Sequence, residues 1–328
     1  MATYDLRTGI AHEPNPLDYI TKQTGCHSAP VGTPHPLWDK FLDRVTNHNK
    51  ELQAFLQRWC GYCCTGETTE HVFVFVYGTG ANGKGTFINT IADVLGDYAT
   101  TAHVSTFLAS RDEHHPTDVA KLRGARLVIA QETEKGRRWD ETKIKTLTGG
   151  DKVTARFMRQ DFFDFDPKFK LMISGNHKPQ LNNVDEAIRR RLLIIPFTVQ
   201  IPPAERDPQL RNKLRAEWPA ILRWMIDGCL QWQKLGLAPP DIVRTTTAEY
   251  FVDQDTVGEW LEECTMPDRN AFARTLELFA SWKAWADDRQ IRVGSVKSLS
   301  ESLNAHNGLK KGKNDARQAG FYGLTIKG

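Results

Sequence analysis

The sequence predicts an α/β protein built on a parallel sheet, preceded by a helical segment and followed by a smaller helix-and-wing domain. Three observations carry this. Between residues 70 and 200, the apolar runs "HVFVFVY", "RLVIAQE", "FKLMISGN" and "LLIIPFTV" alternate with glycine loops and amphipathic stretches. The runs are continuous rather than alternating, as strands covered on both faces are. Finally, residues 289–328 hold eight Lys or Arg against two acids, a surplus of six, in a chain whose formal net charge is only +3.

Taken in order, residues 1–34 are rich in Pro, Gly, Thr and His and lack periodicity, which predicts an arm or the edge of something larger. Residues 35–69 form a helical segment, with one helical period sustained over 36–63 and Gly66 soon after it. Residues 70–200 are the α/β core. Residues 201–245 read as a helical strap and linker. Asp207 and Pro208 supply a cap and first turn, and Pro219 opens a helix whose buried stripe is Leu222, Met225, Ile226, Cys229 and Leu230. "GLAPPDIV" is the linker. From 246 to 328 the chain is helical again, with "KSLSESLNAHNG" as a helix and "LKKGKNDARQAGFYGLTIKG" as a basic two-stranded wing with a glycine-rich tip. Duplex-binding modules of the winged-helix kind pair a helix and a wing in this way.

Composition narrows the class. The 328 residues are 40% hydrophobic and 25% charged, which suits a globular protein of two or three domains. No apolar run is long enough to span a bilayer, and the N-terminus lacks the apolar core of a signal peptide, so no membrane partner is expected. Six cysteines in a chain this long do not form a disulfide scaffold, which predicts a reducing, cytoplasmic location. Cys60-x-x-Cys63-Cys64, with His71 nearby, invites a zinc site. No second ligand pair follows at matching spacing, and Cys60 and Cys63 continue a helical apolar face.

The stretch "VFVFVYGTGANGKGTF" (72–87) fits two phosphate-binding patterns. Gly78-x-Gly80-x-x-Gly83 matches a dinucleotide fingerprint, and Gly78-xxxx-Gly83-Lys84 a nucleoside-triphosphate loop. The first requires a carboxylate about twenty residues on, at the end of a second strand, whereas Asp97 follows a helix end. Lys84 directly after Gly83 decides for the second, because a lysine there reaches the terminal phosphates while backbone N–H groups cradle the chain. Gly78, Thr79, Gly80, Ala81, Asn82, Gly83, Lys84, Gly85 and Thr86 are therefore the candidate loop for ATP and Mg²⁺. Gly85 stands where a hydroxyl usually holds the metal. Thr86, one residue later, or water is left to do so.

The companions of the loop follow in order. Glu132 ends an apolar strand, where a carboxylate holds Mg²⁺ and orients the attacking water, with Gln131 beside it. Gly149-Gly150 turns the chain into a predicted hairpin, with strands over about 152–157 and 162–165 and a tip at 158–161, carrying Lys152, Arg156 and Arg159. Asn176 ends another buried strand, where an amide can bond a γ-phosphate or the attacking water. Arg189, Arg190 and Arg191 precede the last strand. Three adjacent arginines on a helix cannot share one face, so at least one faces something anionic.

Loop, acid, "KTLTGGD", "SGN" and "RRRLLIIPF", in this order and spacing, resemble the superfamily-three helicases, and most of all the phage and poxvirus primase–helicase type. The likeness covers residues 36–328. It implies an AAA+-like ATPase that assembles as a hexameric ring on single-stranded and forked DNA. It further implies that Lys84 contacts the triphosphate and that Glu132 is the catalytic acid. Lys145, Asp151 and Arg156 belong to the motif around the hairpin, Asn176 is the sensor, and Arg190 or Arg191 is the arginine finger. Basic residues of the tail, Lys310, Lys311, Lys313 and Arg317, would hold duplex DNA through its phosphates. Proteins of this type commonly carry a primase domain ahead of the helicase, and nothing similar precedes residue 36. Either the chain is a fragment or a separate primase works with it. The reading expected is an ATP-driven replicative helicase subunit of phage or prophage origin. The rivals are a DNA-packaging or signalling AAA+ ATPase, or a DNA-binding replication platform whose ATPase Gly85 weakens.

Overall fold

The computed structural model describes residues 2–110, 116–132, 137–181, 184–289, 291, 293–306 and 308–327, the side chains of 116, 132, 270 and 305 excepted. The chain divides into two compact units, Met1–Gln180 with Arg190–Ala248, and Leu181–Arg189 with Glu249–Gly328.

The first unit opens with an antiparallel pair, β1 (Thr3–Asp5) and β2 (Ile10–His12). The expected arm is packed down. Gly25 N–H donates to Val94 O at 2.9 Å, and Gln233 Nε2 donates to Leu6 O at 2.8 Å. The helix expected over 36–63 is two helices, α1 (Pro36–Val45) and α2 (Lys50–Cys63). The break at 46–49 is local chemistry. The Thr46 hydroxyl donates back to Leu42 O at 2.7 Å, Asn47 and His48 take φ of 52° and 61°, and Asn49 Oδ1 accepts Leu52 N–H at 2.9 Å to cap α2. Thr and Asn compete with helical hydrogen bonds in this way, and the run "TNHN" carried that signal.

The core elements follow: β3 (Phe73–Tyr77), α3 (Lys84–Leu95), β4 (Ala99–Thr101), α4 (Pro116–Ala120), β5 (Leu127–Glu132), α5 (Glu141–Gly149), β6 (Val153–Ala155), β7 (Phe163–Phe165) and β8 (Lys170–Gly175). Then come α6 (Glu186–Arg189), which groups with the second unit, and β9 (Leu192–Pro196). Five strands form one parallel sheet in the order β4-β5-β8-β3-β9. Four of them are the apolar runs. β4 is an additional edge strand of three partly exposed residues, too short to mark itself by hydrophobicity. After β9 come α7 (Leu210–Leu214) and α8 (Trp218–Leu235), with Pro219 in the first turn of α8. Leu222, Met225, Ile226 and Cys229 of α8 are buried, and Leu230 is half-buried. They join a core in which Trp38 stacks on Phe87 at 5.8 Å and meets Trp224 edge-on at 5.6 Å. Cys60, Cys63 and Cys64 lie in this core as buried thiols. Burial pushes Cys63 up to about 12.

Lys170 begins β8 at 2% exposure. Its amine donates to Thr65 O at 2.5 Å and Glu67 O at 3.1 Å, and sits 4.7 Å from the Tyr62 ring centroid. These oxygens lie just past the end of α2, where a cation meets the negative end of the helix. Desolvation still pushes the amine down to about 8 from 10.5. Between those values the unfolded chain binds a proton that the folded chain does not, so this lysine makes folding more favourable as pH rises. The span is on the order of 3 kcal/mol. The buried thiols titrate in the opposite sense above 9.0, so the readout is a difference. Lys170→Met is expected to abolish a rise in stability, relative to the parent chain, between pH 8 and 10.5 in urea unfolding. Parallel pH profiles for the two chains would contradict this.

The second unit holds the C-terminal half of α9 (Asp241–Gln254), then α10 (Thr256–Cys264), β10 (Thr265–Arg274), α11 (Thr275–Asp288), α12 (Val296–Ala305), β11 (Lys310–Lys313) and β12 (Ala319–Ile326). Trp260, Leu278, Trp282, Leu303 and Phe321 form its core. The expected two-stranded wing is a three-stranded antiparallel sheet in the order β10-β12-β11. β10 was hidden because "TMPDRNAFAR" reads as a turn, and its ladder does shift register between Asp268 and Phe272. The wing tip is not glycine-rich. Residues 314–318 turn through an Asn314 Oδ1 that accepts Gln318 N–H at 2.9 Å, while Gly312 and Gly320 face each other across the ladder. No helix among the described residues is long and apolar enough to cross a membrane.

Candidate nucleotide-binding site

The glycine loop joins the carboxyl end of β3 to the amino end of α3, where open α/β sheets bind ligands. Two glycines are required by space. A Cβ on Gly78 would lie 2.0 Å from Asn82 Nδ2 and 2.3 Å from Phe197 O. Gly83 has φ +82°, and a Cβ there would meet Val45 Cγ1 of α1 at 2.5 Å. Gly83 also leaves the first turn of α3 without a side-chain cap, so backbone N–H groups point out of the helix end.

Lys84 is 9% exposed, and its amine turns back into the loop. It donates to Gly78 O at 2.5 Å, Asn82 Oδ1 at 3.1 Å and Asn176 Oδ1 at 3.1 Å. Among the described residues no carboxylate pairs with it. Desolvation pushes its pKa down from the usual lysine value. A sheltered cation held by neutral oxygens, beside an uncapped helix N-terminus, suits an anion. Asn82 has a second role that the sequence did not announce. Its Nδ2 donates to Phe197 O at 2.8 Å, tying the loop to the residue after β9.

Thr79 and Ala81 are exposed, and Gly80 has φ +114°. Gly85 is required by neither space nor conformation, since a Cβ there would meet nothing within 4 Å. Thr86 is half-buried, with no hydrogen-bond partner for its hydroxyl among the described residues. Glu132 is the last residue of β5, with its side chain outside the described part of the structure. Because β8 lies between β3 and β5, Asn176 stands between the loop and the acid-bearing strand.

The hairpin is present as β6 and β7, paired Val153↔Phe165 to Ala155↔Phe163. The strands are shorter than the sequence suggested, which leaves 156–162 as the tip. Arg156 lies over the Phe162 ring at 4.8 Å, and Arg159 takes φ 61°. Lys152, Arg156 and Arg159 are exposed, as are Met158 at 67% and Phe162 at 60%. Gly150, with φ +85°, closes α5 before the hairpin, and Asp151 follows at its root. Lys145 lies on α5.

The arginine run does not lie on one helix. Arg189 ends α6, Arg190 is exposed in the turn after it, and Arg191 is 9% exposed and leads into β9. Phe73 N–H donates to Arg191 O at 2.8 Å, so Arg190 and Arg191 sit at the amino end of the sheet, whereas Lys84 sits at the carboxyl end. β3 alone separates the ends by roughly 15 Å. In the second unit, Lys310, Lys311, Lys313 and Arg317 are all exposed along β11 and the wing tip. A cavity of about 800 Å³ lies elsewhere, under the N-terminal arm. Its Lys22 and Arg126 are engaged by Asp97 O at 2.8 Å and Cys64 O at 2.5 Å.

The molecule is thus a mixed α/β protein whose five-stranded parallel sheet carries a phosphate-loop-like site. A family model described only as a family of unknown function, DUF5906, matches residues 76–191. The chain is 23% identical over 308 residues to "Putative helicase L207/L206" of Acanthamoeba polyphaga mimivirus, covering 86% of this chain and 32% of that protein. It is 23% identical over 256 residues to "Putative helicase 022R" of Frog virus 3 (isolate Goorha), covering 71% and 26%. With "Putative helicase 184R" of Invertebrate iridescent virus 6 it shares 26% over 223 residues, covering 65% and 23%. The chain therefore spans between 23% and 32% of the length of these relatives. Among solved structures, the apo NrS-1 C-terminal region (305–718) aligns with a TM-score of 0.52 at 9% identity, over 99% of this chain and 82% of that one. That likeness is one of fold.

Proposed function

We propose that this chain is the ATP-hydrolysing subunit of a superfamily-three-type DNA helicase, with an AAA+-like core, forming a hexameric ring that moves on single-stranded DNA during viral or prophage replication. The observation that carries this is Lys84, a sheltered amine without a carboxylate partner among the described residues, held by Asn176 at 3.1 Å beside an uncapped helix N-terminus. Relatives named as helicases support the reading, since one of them aligns with 86% of this chain. The loop N–H groups and Lys84 hold the β- and γ-phosphates, and Asn176 orients the terminal phosphate or the attacking water. Glu132 and Thr86 would hold Mg²⁺, which would neutralise phosphate charge there. The exposed tip 156–162 supplies cations and aromatic faces for single-stranded DNA. The order α10-β10-α11-α12-β11-β12, with β12 between β10 and β11, supports the winged-helix reading of the second unit.

The test is unwinding of a forked DNA by the purified chain alone with Mg²⁺ and ATP. A packaging or signalling ATPase would hydrolyse ATP without separating the strands. Lys152→Ala with Arg159→Ala should leave DNA-free hydrolysis in place and remove unwinding.

Two further outcomes follow from the geometry. Gly85→Ser adds a hydroxyl into open space, so the Mg²⁺ concentration for half-maximal turnover should fall. Thr86→Ala should raise it, because one oxygen ligand of the metal is lost. An unchanged Mg²⁺ titration in Thr86→Ala would leave the ligand role to water. Lys310→Ala with Lys311→Ala should weaken duplex binding uniformly across sequences. The slope of log affinity against log salt should flatten by about two, one for each phosphate no longer neutralised. An unaltered slope would remove the wing from the DNA interface.

A further inference from the structure

The segment Leu181–Arg189 lies between β8 and β9 in the chain, yet it packs with the C-terminal unit. Leu181 N–H donates to Gln254 Oε1 at 3.0 Å. The Arg189 guanidinium lies 5.2 Å from the Phe251 ring centroid and 4.0 Å from Asp255 Oδ2. The other oxygen of Asp255 accepts Gly258 N–H at 2.9 Å, capping α10, and faces His306 Nε2 at 3.4 Å. One carboxylate therefore joins the end of α6, the start of α10 and the residue that follows α12. The Asp255 and His306 side chains are 26% and 25% exposed, sheltered enough that salt screens them less than a surface pair. α12 is the helix that leads into the basic wing, and Arg190 is the residue after Arg189.

We infer that Asp255 is a positioning residue for Arg190, holding Arg189 to the carboxylate that also holds α12 through His306, so that DNA on the C-terminal unit acts on ATP hydrolysis. This rests on the helicase reading, in which Arg190 serves a neighbouring subunit. Phosphates drawn to Lys310 and Lys311 pull on the wing and on α12 before it. His306 passes that displacement to Asp255, and Asp255 to Arg189. A single peptide unit, about 3.8 Å between Cα atoms, then separates Arg189 from Arg190. A coupling of this kind is typically carried by a hydrogen-bonded element with two arrangements.

The test uses the full chain. Asp255→Asn keeps an oxygen that caps α10, since Asn caps as well as Asp, but removes the charge facing Arg189 and His306. Arg189→Gln removes the other partner. ATP turnover is measured against increasing forked DNA, together with nucleotide KM, fork affinity and urea midpoint. Both variants should lower DNA-stimulated kcat by about threefold to thirtyfold, with KM for ATP, fork affinity and midpoint close to those of the parent. Parent-like stimulated kcat in both variants overturns the coupling. So does a fall in kcat matched by a fall in midpoint, which marks a purely structural role. A parent chain whose hydrolysis ignores DNA overturns the helicase reading itself, and the two failures are told apart by that control.

Discussion

Lys84→Ala is expected to leave the chain folded and to reduce ATP turnover by about 10²–10³-fold, the cost of removing one preorganised donor from a developing anion. The size of the effect follows from where the amine sits. It is 9% exposed and held on three oxygens, from Gly78, Asn82 and Asn176, so it is already oriented before any phosphate arrives. Preorganisation of that kind costs no rearrangement in the transition state. The fold should survive, because among the described residues the amine has no carboxylate partner whose charge its loss would strand. Removing it also relieves a desolvated cation, as its lowered pKa indicates. Urea midpoints at or above those of the parent, with turnover near background, are the expected pair of results. Turnover within a few-fold of the parent would take the loop out of the chemistry.

Arg190→Ala should be at least as damaging and for a different reason. A finger arginine contributes about 10³–10⁵ in turnover. Arg190 is exposed at the amino end of the sheet, while the loop sits at the carboxyl end. The roughly 15 Å along β3 exceeds the reach of an arginine side chain, so in the ring proposed above Arg190 would serve a neighbouring copy's site. Mixing then discriminates. Lys84→Ala has an intact finger and a dead loop; Arg190→Ala has the reverse. Mixed under conditions of demonstrated subunit exchange, some interfaces pair a good loop with a good finger, and ATPase activity partly returns. Arg191 is the weaker finger candidate, because it is buried where β9 begins and its carbonyl accepts Phe73 N–H. No recovery on mixing would confine the arginines to a structural role within one subunit.

Features of this site differ in how far the sequence reveals them, and the difference is one of range. The loop was legible because Gly78, Gly83 and Lys84 lie close together in the chain and form a motif by themselves. The hairpin was legible from Gly149-Gly150 and the apolar strands behind it. What was not legible depends on partners distant in the chain. Arg190 and Arg191 are neighbours in sequence, but the pairing of β9 with β3 buries one and exposes the other. The tie from Asn82 to Phe197 spans 115 positions. β10 looks like a turn because Pro267 and Asp268 mark it so, and only pairing with β12 makes it a strand. The break between α1 and α2 was readable in principle, since Thr46, Asn47 and Asn49 favour caps over helix interiors, but the apolar period on both sides masked it.

The measurement that bears most directly on the central claim is steady-state ATP hydrolysis by the purified chain, with and without single-stranded DNA, beside the Lys84→Ala variant. An ATP-driven DNA motor predicts Mg²⁺-dependent turnover that rises when the DNA is added and that Lys84→Ala lacks in both conditions. Turnover no higher than that of Lys84→Ala, with DNA present or absent, would contradict it.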